Sequence, residues 1–437
     1  MKRSNDNLLN LEAQKYTMVL ASVALLLFLL SSCGLFSANA FTPVPAIHTE
    51  TIVIEEKPST EHKNQPSNTH KPSLSTPQLG IDRLHLFIDS LTGKRIAVVA
   101  NQTSVVNNVH LVDTLLSLKL NVVKVFAPEH GFRGDADAGQ HVSHSTDDKT
   151  GLPLVSLYGA NKKPTVEQLA DIDIVIYDIQ DVGVRFYTYI STLHYVMEAC
   201  ADNNKQLVVL DRPNPNGHYV DGPVLEPAFK SFVGMHPVPI VYGMTIGEYA
   251  RMINGEGWLQ NGKACQLWVI PCKNYKHKLA YNLPVAPSPN LRTASAISLY
   301  PSLCLFEATT VSVGRGTDKP FEVYGHPKFP QSTYQFMPIP TIGAKKPLHL
   351  NTICDGFELS TTKRAYQINL NYLIEAKELL GDSTVFIDQP SFFNRLAGTA
   401  SLKEQLDKGW SAREIRATWK PGLDAFMEVR RKYLLYE

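Results

Sequence analysis

Four short apolar runs in the first half of the chain each end in polar side chains that can do chemistry. The runs occupy residues 95–100, 121–127, 173–177 and 207–210. Because they are nearly continuous and rich in β-branched residues, they are typical of strands buried on both faces of a parallel sheet. In an open parallel sheet, ligands bind outside the carboxyl ends of the strands. We therefore predict that the polar residues after the four runs lie on one rim and form a functional site.

This rim carries carboxylates, an amide, a histidine, arginines and an aromatic ring. In chain order the candidate residues are Asn101, Glu129, His130, Asp178, Asp181, Arg185, Tyr187 and Arg212. Glu129 is the strongest catalytic candidate, because a carboxyl at the end of an apolar strand can be desolvated until it acts as a general acid. His130 follows it directly and is a second catalytic candidate. The alternative is a loop glutamate that pairs with Arg133 in solvent.

Charge and aromatic rings are combined after the third run. Asp178, Asp181 and Arg185 precede the segment 186–189 (FYTY), which includes Tyr187. Carboxylates and amides hold the hydroxyls of a sugar and rings cover its apolar faces, so this mixture suits a glycan. A structural Asp–Arg pair with the aromatic rings in the core is the equally open alternative.

The segment 211–217 after the fourth run is rich in turn residues. Arg212 within it could hold a carboxylate through two parallel hydrogen bonds. Pro, Asn and Gly are also the residues that a turn needs for backbone reasons alone. Glu226, shortly downstream, adds a carboxylate to the substrate-binding candidates.

Helix-like segments alternate with these strands. They lie at 109–118, 165–170, 188–205 and 245–253, and a later strand is expected at 267–270. Thr165 with Gln168 and Thr245 with Glu248 predict capping boxes at the starts of two of these helices. Strand–helix–strand alternation implies right-handed crossovers and a mostly parallel sheet. We therefore predict an α/β protein whose first domain, residues 79–286, is built on a mostly parallel sheet.

A proline-rich segment at 284–289 interrupts the periodicity and marks a domain junction. Residues 287–437 then mix the two kinds of pattern. The strand-like segments are 303–313 and 365–370, and the helix-like segments are 371–380 and 411–433. This mixture predicts a smaller α+β C-terminal domain.

Glycines flank Arg315 in the segment 312–322 (SVGRGTDKPFE) of the second domain. They allow close backbone approach to a ligand and direct the guanidinium, and Asp318 and Glu322 add carboxylates. All three residues are substrate-binding candidates. The segment has neither the glycine fingerprint nor the Lys-Ser pair of a nucleotide loop. The absence of a Gly-x-Ser-x-Gly elbow weakens a serine-hydrolase interpretation.

Asp135, Asp137, His141 and His144 suggest a metal site, because carboxylates and imidazoles are metal ligands. Their spacing matches no metal motif, and a polar, glycine-rich segment is equally typical of a lid or substrate-binding loop. We predict such a loop, with no metal and no cofactor. A metal-dependent hydrolase stays an alternative hypothesis.

Residues 1–33 are typical of an export signal. The apolar core at 17–30 is too short to span a bilayer comfortably. It ends in residues 30–33 (LSSC), which resemble the bacterial lipoprotein signal, with Cys33 as the lipidated residue. Cleavage after Ala40 is the alternative. We expect an exported lipoprotein anchored on the periplasmic or cell-surface side of a membrane.

Residues 34–78 are rich in Pro, Ser, Thr, Asn, Lys and Glu. Such a composition cannot offset chain entropy, so we predict a disordered tether, in which 51–54 (TIVI) is an unexplained apolar exception. The net charge of +1 over 437 residues argues against nucleic acid as a partner. Cys265 and Cys272 flank the late strand, and their spacing leaves a disulfide between them open.

The motifs at the strand ends and around Arg315 resemble those of a bacterial family, the NamZ-type exo-β-N-acetylmuramidases. The matching segments are 100–104 (ANQTS), 128–134 (PEHGFRG), 177–189 (YDIQDVGVRFYTY), 211–215 (DRPNP), 312–318 (SVGRGTD) and 320–322 (PFE). The resemblance implies a Rossmann-like first domain followed by a smaller α/β domain, with the active-site cleft between them. It also implies an exo-acting glycoside hydrolase that releases N-acetylmuramic acid from the non-reducing end of peptidoglycan-derived MurNAc-GlcNAc oligosaccharides.

By the same resemblance Glu129 is the leading catalytic acid. The second catalytic group stays open among four carboxylates: Asp178, Asp181, Glu226 and Glu322. N-acetylmuramic acid carries a lactyl carboxylate, so its site should contain a cation. The available cations are Arg185, Arg212 and Arg315. A non-catalytic surface lipoprotein that binds glycans or muropeptides is the alternative function.

Overall fold

A mostly parallel β-sheet organises the first half of the chain. The computed structural model describes residues 52–53, 76–129, 131–133 and 145–437. In chain order the strands are β1 (Ile52–Val53), β2 (Ile96–Ala100), β3 (Val105–Val106), β4 (Val109–His110), β5 (Val122–Ala127), β6 (Ser145–Thr146), β7 (Pro153–Ser156), β8 (Ile174–Asp178), β9 (Gln206–Leu210), β10 (Gln266–Ile270), β11 (Val323–His326), β12 (Tyr334–Phe336) and β13 (Cys354–Glu358). Eight of them form one sheet in the order β1-β10-β9-β8-β2-β5-β7-β6. Its neighbours are parallel except β6 and β7, which confirms the predicted mostly parallel sheet.

The four predicted runs are the central strands β2, β5, β8 and β9 of this sheet. Successive side chains enter two different cores, so that Val98 and Ile176 pack on one face and Val99 and Tyr177 on the other. The chain places β5 and β7 on one side of β2 and then β8, β9 and β10 on the other. The strand order therefore reverses between β2 and β8, which is where an open α/β sheet places its ligand crevice.

Helices cover both faces of the sheet and build most of the second lobe. They are α1 (Leu111–Ser117), α2 (Val166–Leu169), α3 (Tyr189–Asp202), α4 (Ile246–Gly255), α5 (Ala294–Leu303), α6 (Asn371–Leu380), α7 (Pro390–Ala397), α8 (Ser401–Asp407) and α9 (Ala412–Arg431). Short 3-10 helices lie at Gly80–Leu86, Ile88–Leu91, Pro227–Phe229, Gln260–Gly262 and Cys304–Ala308. The predicted capping boxes are present, since Thr165 caps α2 with Gln168 and Thr245 caps α4 with Glu248.

The second lobe combines a three-stranded antiparallel sheet, in the order β11-β13-β12, with helices α5 to α9. The predicted α+β class is confirmed, but both predicted strands are wrong. Residues 303–313 begin at the end of α5 and continue into a 3-10 helix, and residues 365–370 form no strand. In the latter segment the amides bond to side chains instead of a neighbouring strand: Ala365 to Ser298, Ile368 to Asp221 and Asn369 to Ser302.

The two lobes share one hydrophobic core. Tyr177 and Leu193 of the first lobe belong to the same buried cluster as Leu303, Phe306 and Phe393 of the second. Burial of apolar surface on both sides of the junction stabilises the arrangement of the lobes. The walls of a site between them are therefore held in place by packing.

Cys265 and Cys272 are both buried free thiols, which excludes the disulfide that their spacing left open. They lie beyond opposite ends of β10, and a strand rises about 3.3 Å per residue. Their Cα atoms are therefore far beyond the roughly 7 Å that a disulfide can span. Cys272 instead donates from its Sγ to the carbonyl oxygen of Asp211 at 3.3 Å.

The N-terminal predictions are only partly covered by the structure. Ile52–Val53, within the predicted tether, pairs with Trp268 and Val269 as an edge strand, which gives the apolar exception a place in the sheet. Residues 1–33, including Cys33, lie outside the described residues. In the part of the chain that is described, no helix is long and apolar enough to cross a membrane.

Candidate active site

A cavity of about 300 Å³ lies between the two lobes, beyond the carboxyl end of β5. Glu129, Tyr158 and Thr188 line it from the first lobe, and Glu307 and Arg315 line it from the second. Ligand sites in proteins are concave, mostly apolar and equipped with a few convergent polar groups, as this one is. The cleft that the resemblance implies between the domains corresponds to this cavity.

Glu129 reaches the cavity because it stands two residues beyond the end of β5. Its Oε2 accepts a hydrogen bond of 2.9 Å from the hydroxyl of Thr188. Burial and the adjacent Glu129 carboxylate raise the pKa of Tyr158, which keeps that phenol protonated beside the acid. Arg133 makes paired 2.8 Å hydrogen bonds to Asp147, so the alternative of a Glu129–Arg133 pair in solvent is wrong.

Asn101 is connected to Glu129 through a tyrosine hydroxyl behind the cavity wall. It is completely buried, and its Nδ2 donates to the hydroxyl of Tyr189 at 2.9 Å. That hydroxyl in turn lies 3.3 Å from the carbonyl oxygen of Glu129. Tyr187 packs edge-on against Tyr189 and lines the cavity. Asn101 was predicted to bind substrate, but its burial makes it a residue that positions the cavity wall.

The second lobe contributes a carboxylate that the sequence analysis missed. Glu307 lies in the 3-10 helix Cys304–Ala308 and accepts from Nε of Arg315 at 2.5 Å. The guanidinium of Arg315 also lies over the ring of Phe321, 5.2 Å from its centroid. Glu307 was overlooked because its segment was interpreted as a strand. The available signal was a carboxylate eight residues before the glycine-flanked arginine.

Asp178 and Arg212 form a buried bidentate ion pair with Nε–Oδ1 and Nη2–Oδ2 distances of 2.6 and 2.9 Å. Their side chains are 0% and 3% exposed, so neither is available to a substrate. Asp181 is also buried, and it accepts hydrogen bonds from the Tyr242 hydroxyl and the Gly183 amide. Burial raises the pKa of Asp181 to about 6. None of these three lines the cavity, so their predicted roles do not fit the structure.

Arg185 is fully buried and acts as a clamp between the lobes. Its Nη1 donates to the carbonyl oxygens of Pro223 and Val238, and its Nη2 donates to those of Leu396 and Ala397. All four Nη hydrogen bonds of the guanidinium are therefore made to backbone carbonyl oxygens. The structure therefore favours the structural alternative over the predicted substrate binding, with carbonyl oxygens as the partners of Arg185 in place of an aspartate.

The remaining predicted carboxylates lie away from the cavity. Glu226 is exposed and accepts from the Thr399 hydroxyl at 2.5 Å. Asp318 is exposed at the rim of a neighbouring recess, and Glu322 is buried without lining the cavity. His130 lies outside the described residues.

The alternative metal ligands Asp135, Asp137, His141 and His144 also lie outside the described residues. Within the described ranges, no group of three His, Cys, Asp or Glu side chains could hold a metal ion.

Aromatic rings make up much of the remaining wall. Tyr158 and Phe232 meet edge to face in the first lobe, and Tyr300 and Phe321 do so in the second. Rings present flat apolar surfaces, whereas the hydroxyls of Tyr and Thr supply hydrogen bonds. A ligand with apolar faces, hydroxyl groups and a negative charge would match this lining.

These features define a class of two-lobed α/β protein, with a Rossmann-like sheet and an acid- and arginine-lined aromatic cavity between the lobes. Family models described as the N-terminal and C-terminal parts of exo-beta-N-acetylmuramidase NamZ match residues 96–295 and 298–436. The chain therefore belongs to the exo-β-N-acetylmuramidase NamZ family of glycoside hydrolases, which confirms the resemblance. The two models meet inside α5, later than the predicted boundary after residue 286.

Individual relatives agree with this membership. The chain is 38% identical over 403 residues to the peptidoglycan beta-N-acetylmuramidase NamZ of Bacillus subtilis (strain 168), which covers 86% of this chain and 94% of that protein. Two crystal structures of DUF1343 family proteins from Bacteroides fragilis NCTC 9343 are also similar. One is 46% identical with a TM-score of 0.77 and the other 30% identical with a TM-score of 0.72. Each similarity covers 83% of this chain and 99% of the other.

Proposed function

We propose that the protein releases N-acetylmuramic acid from the non-reducing end of peptidoglycan fragments by hydrolysing a β-glycosidic bond. The observation that carries the proposal is that Glu129 and Arg315 line one cavity from different lobes. A substrate for this site needs a bond that an acid can help to cleave and a negative group that a guanidinium can hold. N-acetylmuramic acid provides both, in its glycosidic oxygen and its lactyl carboxylate.

The dimensions of the cavity support action at a chain end. Its volume of about 300 Å³ is at the small end of ligand sites, which range from about 300 to 1,000 Å³. Such a space suits one terminal sugar better than an internal stretch of glycan. The aromatic walls would cover the faces of that sugar, and Arg315 would hold its carboxylate.

Glu129 acts as the general acid in this proposal. Its proton passes to the glycosidic oxygen while the bond from that oxygen to the anomeric carbon breaks. The leaving glycan departs with this proton, and the hydroxyl of a water molecule is added to the anomeric carbon. The remaining proton of the water restores the acid in the overall reaction. Glu307 holds Arg315 and is a positioning residue.

The experiment is to incubate the purified full-length protein with N-acetylmuramyl-β-1,4-N-acetylglucosamine and to follow free N-acetylmuramic acid by mass spectrometry. We expect release from this disaccharide and none from the reversed disaccharide. Glu129→Gln should abolish release while the sugar still binds, and Glu428→Gln, at an exposed carboxylate, is the matched control. Binding without release by the folded wild-type protein would favour the non-catalytic glycan-binding lipoprotein.

We further propose that Cys33 carries a lipid that anchors the protein to a membrane on the periplasmic or cell-surface side. Residues 30–33 (LSSC), directly after the apolar core, support this. Wild-type protein should fractionate with membranes, whereas Cys33→Ala should be found in the soluble fraction. Equal partition of the two proteins would contradict the anchor.

A further inference from the structure

A second recess opens beside the active-site cavity and has no role in the reaction proposed above. Its volume is about 890 Å³, against about 300 Å³ for the cavity. Its walls are formed by Gln102 and by residues from the segments 285–292, 316–318 and 334–342. We refer to this recess as the groove.

The groove and the cavity are neighbours separated by one segment of chain. Ser288 lines both spaces. Arg315, which lines the cavity, is followed directly by Gly316 and Thr317, which line the groove. Tyr187, in the cavity wall, donates from its hydroxyl to the carbonyl oxygen of Pro287 at 2.9 Å. The segment that carries Ser288 therefore lies between the cavity and the groove, and the two spaces are adjacent.

The loop that presents Arg315 to the cavity is fixed to the wall of the groove. The amide of Ile339 donates to the carbonyl oxygen of Gly316 at 2.8 Å. Gly316 has a φ of +85°, and a Cβ there would lie 2.6 Å from the carbonyl oxygen of Ile339. Only glycine permits this approach. The loop that presents Arg315 to the cavity and the Ile339 segment of the groove are therefore joined by backbone contacts.

The lining of the groove combines rings and apolar side chains with amides and charges. Tyr334 offers a half-buried ring, and Met337 and Ile342 are 48% and 72% exposed. Arg292 supplies hydrogen-bond donors beside them, whereas Nε2 of Gln102 donates to the carbonyl oxygens of Ala286 and Pro287, both at 3.1 Å. Flat apolar surface next to polar groups matches the faces and hydroxyls of sugars.

We infer that the groove binds the glycan on the leaving side of the scissile bond, beginning with the N-acetylglucosamine that follows the terminal sugar. This inference rests on the proposed function. The cavity accommodates the terminal sugar, so the rest of the oligosaccharide must leave it through an opening, and the groove lies next to the cavity across the Ser288 segment and is chemically suited to sugars. Contacts with the leaving glycan would favour longer substrates.

The test compares two substrates that share N-acetylmuramic acid but differ in the leaving group. One is the tetrasaccharide with two MurNAc-GlcNAc units, and the other is the p-nitrophenyl β-glycoside of N-acetylmuramic acid. In Tyr334→Ala and Ile342→Glu, the ratio of kcat/KM for the tetrasaccharide to that for the nitrophenyl glycoside should fall about tenfold. Val385→Glu, at a 66% exposed site outside the groove, should leave the ratio unchanged.

Two failures are distinguishable. If wild-type protein hydrolyses neither substrate, the proposed function itself fails. If it hydrolyses both and the two groove variants keep the wild-type ratio, only the inference about the groove is overturned. A ratio that changes solely with peptide-bearing tetrasaccharides would assign the groove to stem peptide and would also overturn it.

Discussion

The hydroxyl of Thr188 donates a 2.9 Å hydrogen bond to Oε2 of Glu129, which joins the start of α3 to the end of β5. Thr188 is the N-cap residue of α3, yet its side chain makes no capping bond to the helix. The hydroxyl is directed to the carboxylate instead. The orientation of the proposed acid is therefore set by a residue 59 positions away in the chain.

Thr188→Val should lower kcat about tenfold, because a lost hydrogen bond of about 1 kcal/mol also frees the carboxyl from the geometry that the reaction needs. The measurement is steady-state kinetics on the MurNAc-GlcNAc disaccharide. Thr188→Ser keeps the hydroxyl and should restore most of the activity. Since no cap bond is lost, the far-ultraviolet circular dichroism should not change. Full activity in Thr188→Val would show that this hydrogen bond does not position the acid.

Arg315→Lys should reduce kcat/KM for the MurNAc-GlcNAc disaccharide by about 10- to 100-fold, mainly through KM. Lysine keeps the charge but loses the planar fork that binds a carboxylate, and hydrogen bonds to charged groups contribute about 1.5–3 kcal/mol. Glu307→Gln should raise KM less, because it weakens the Nε contact that orients the guanidinium.

The contribution of the lactyl group is measured by a ratio: kcat/KM for the MurNAc-GlcNAc disaccharide divided by kcat/KM for a GlcNAc-terminated disaccharide. We call this ratio the discrimination. We expect Arg315→Lys to lower that discrimination, since the two sugars differ by the carboxylate that Arg315 would hold. Arg431→Lys, which is exposed and paired with Glu428, is the matched control. An unchanged ratio in Arg315→Lys would remove this arginine from substrate recognition.

The sequence predicted the parts of the fold that depend on local pattern. The β-branched runs became β2, β5, β8 and β9, and the Thr165 and Thr245 capping boxes formed as expected. The position of Glu129 at the rim was also predictable from local pattern, because this residue follows the end of β5. Residues 303–313 were misjudged because an apolar run of that length is compatible with a buried helical segment as well as with a strand.

The sequence could not predict which polar side chains form ion pairs with one another. Asp178 and Arg212 both stand at strand ends, but they pair with each other and leave nothing for a ligand. Glu307 and Arg315 also pair, but they line the cavity. The difference depends on burial, and burial is set by the packing of the second lobe against the first.

Arg185→Met should destabilise the protein by about 3–5 kcal/mol without a specific loss of substrate affinity. Removal of the guanidinium leaves four buried carbonyl oxygens without their donor, and each unsatisfied group costs about 1–3 kcal/mol before relaxation. Urea unfolding gives the stability, and KM of the folded fraction gives the affinity. A raised KM with unchanged stability would return Arg185 to the substrate site.

A buried histidine pair should make stability fall at acidic pH. Nδ1 of His194 lies 3.0 Å from Nε2 of His236, and His236 also contacts the Tyr249 hydroxyl. Burial lowers the pKa of His194 to about 4 and that of His236 well below 6.5, although Glu198 lies 3.5 Å from His194. Lys163 and Lys230 add positive charge that opposes protonation.

Because both folded-state pKa values are depressed, the unfolded chain binds more protons below pH 6.5, and the stabilisation present above that pH is lost between about pH 6.5 and 4. For His194, whose folded-state pKa is about 4, the loss at pH 5 is roughly 2 kcal/mol, and the depressed pKa of His236 acts in the same direction. Asp181 and Asp211, whose pKa values burial raises to about 6, act in the opposite direction, but they are common to wild type and variant. His236→Gln should therefore reduce the difference in unfolding free energy between pH 7 and pH 5, measured by urea titration at both values. If the variant keeps the wild-type pH dependence, the histidine pair is not its source.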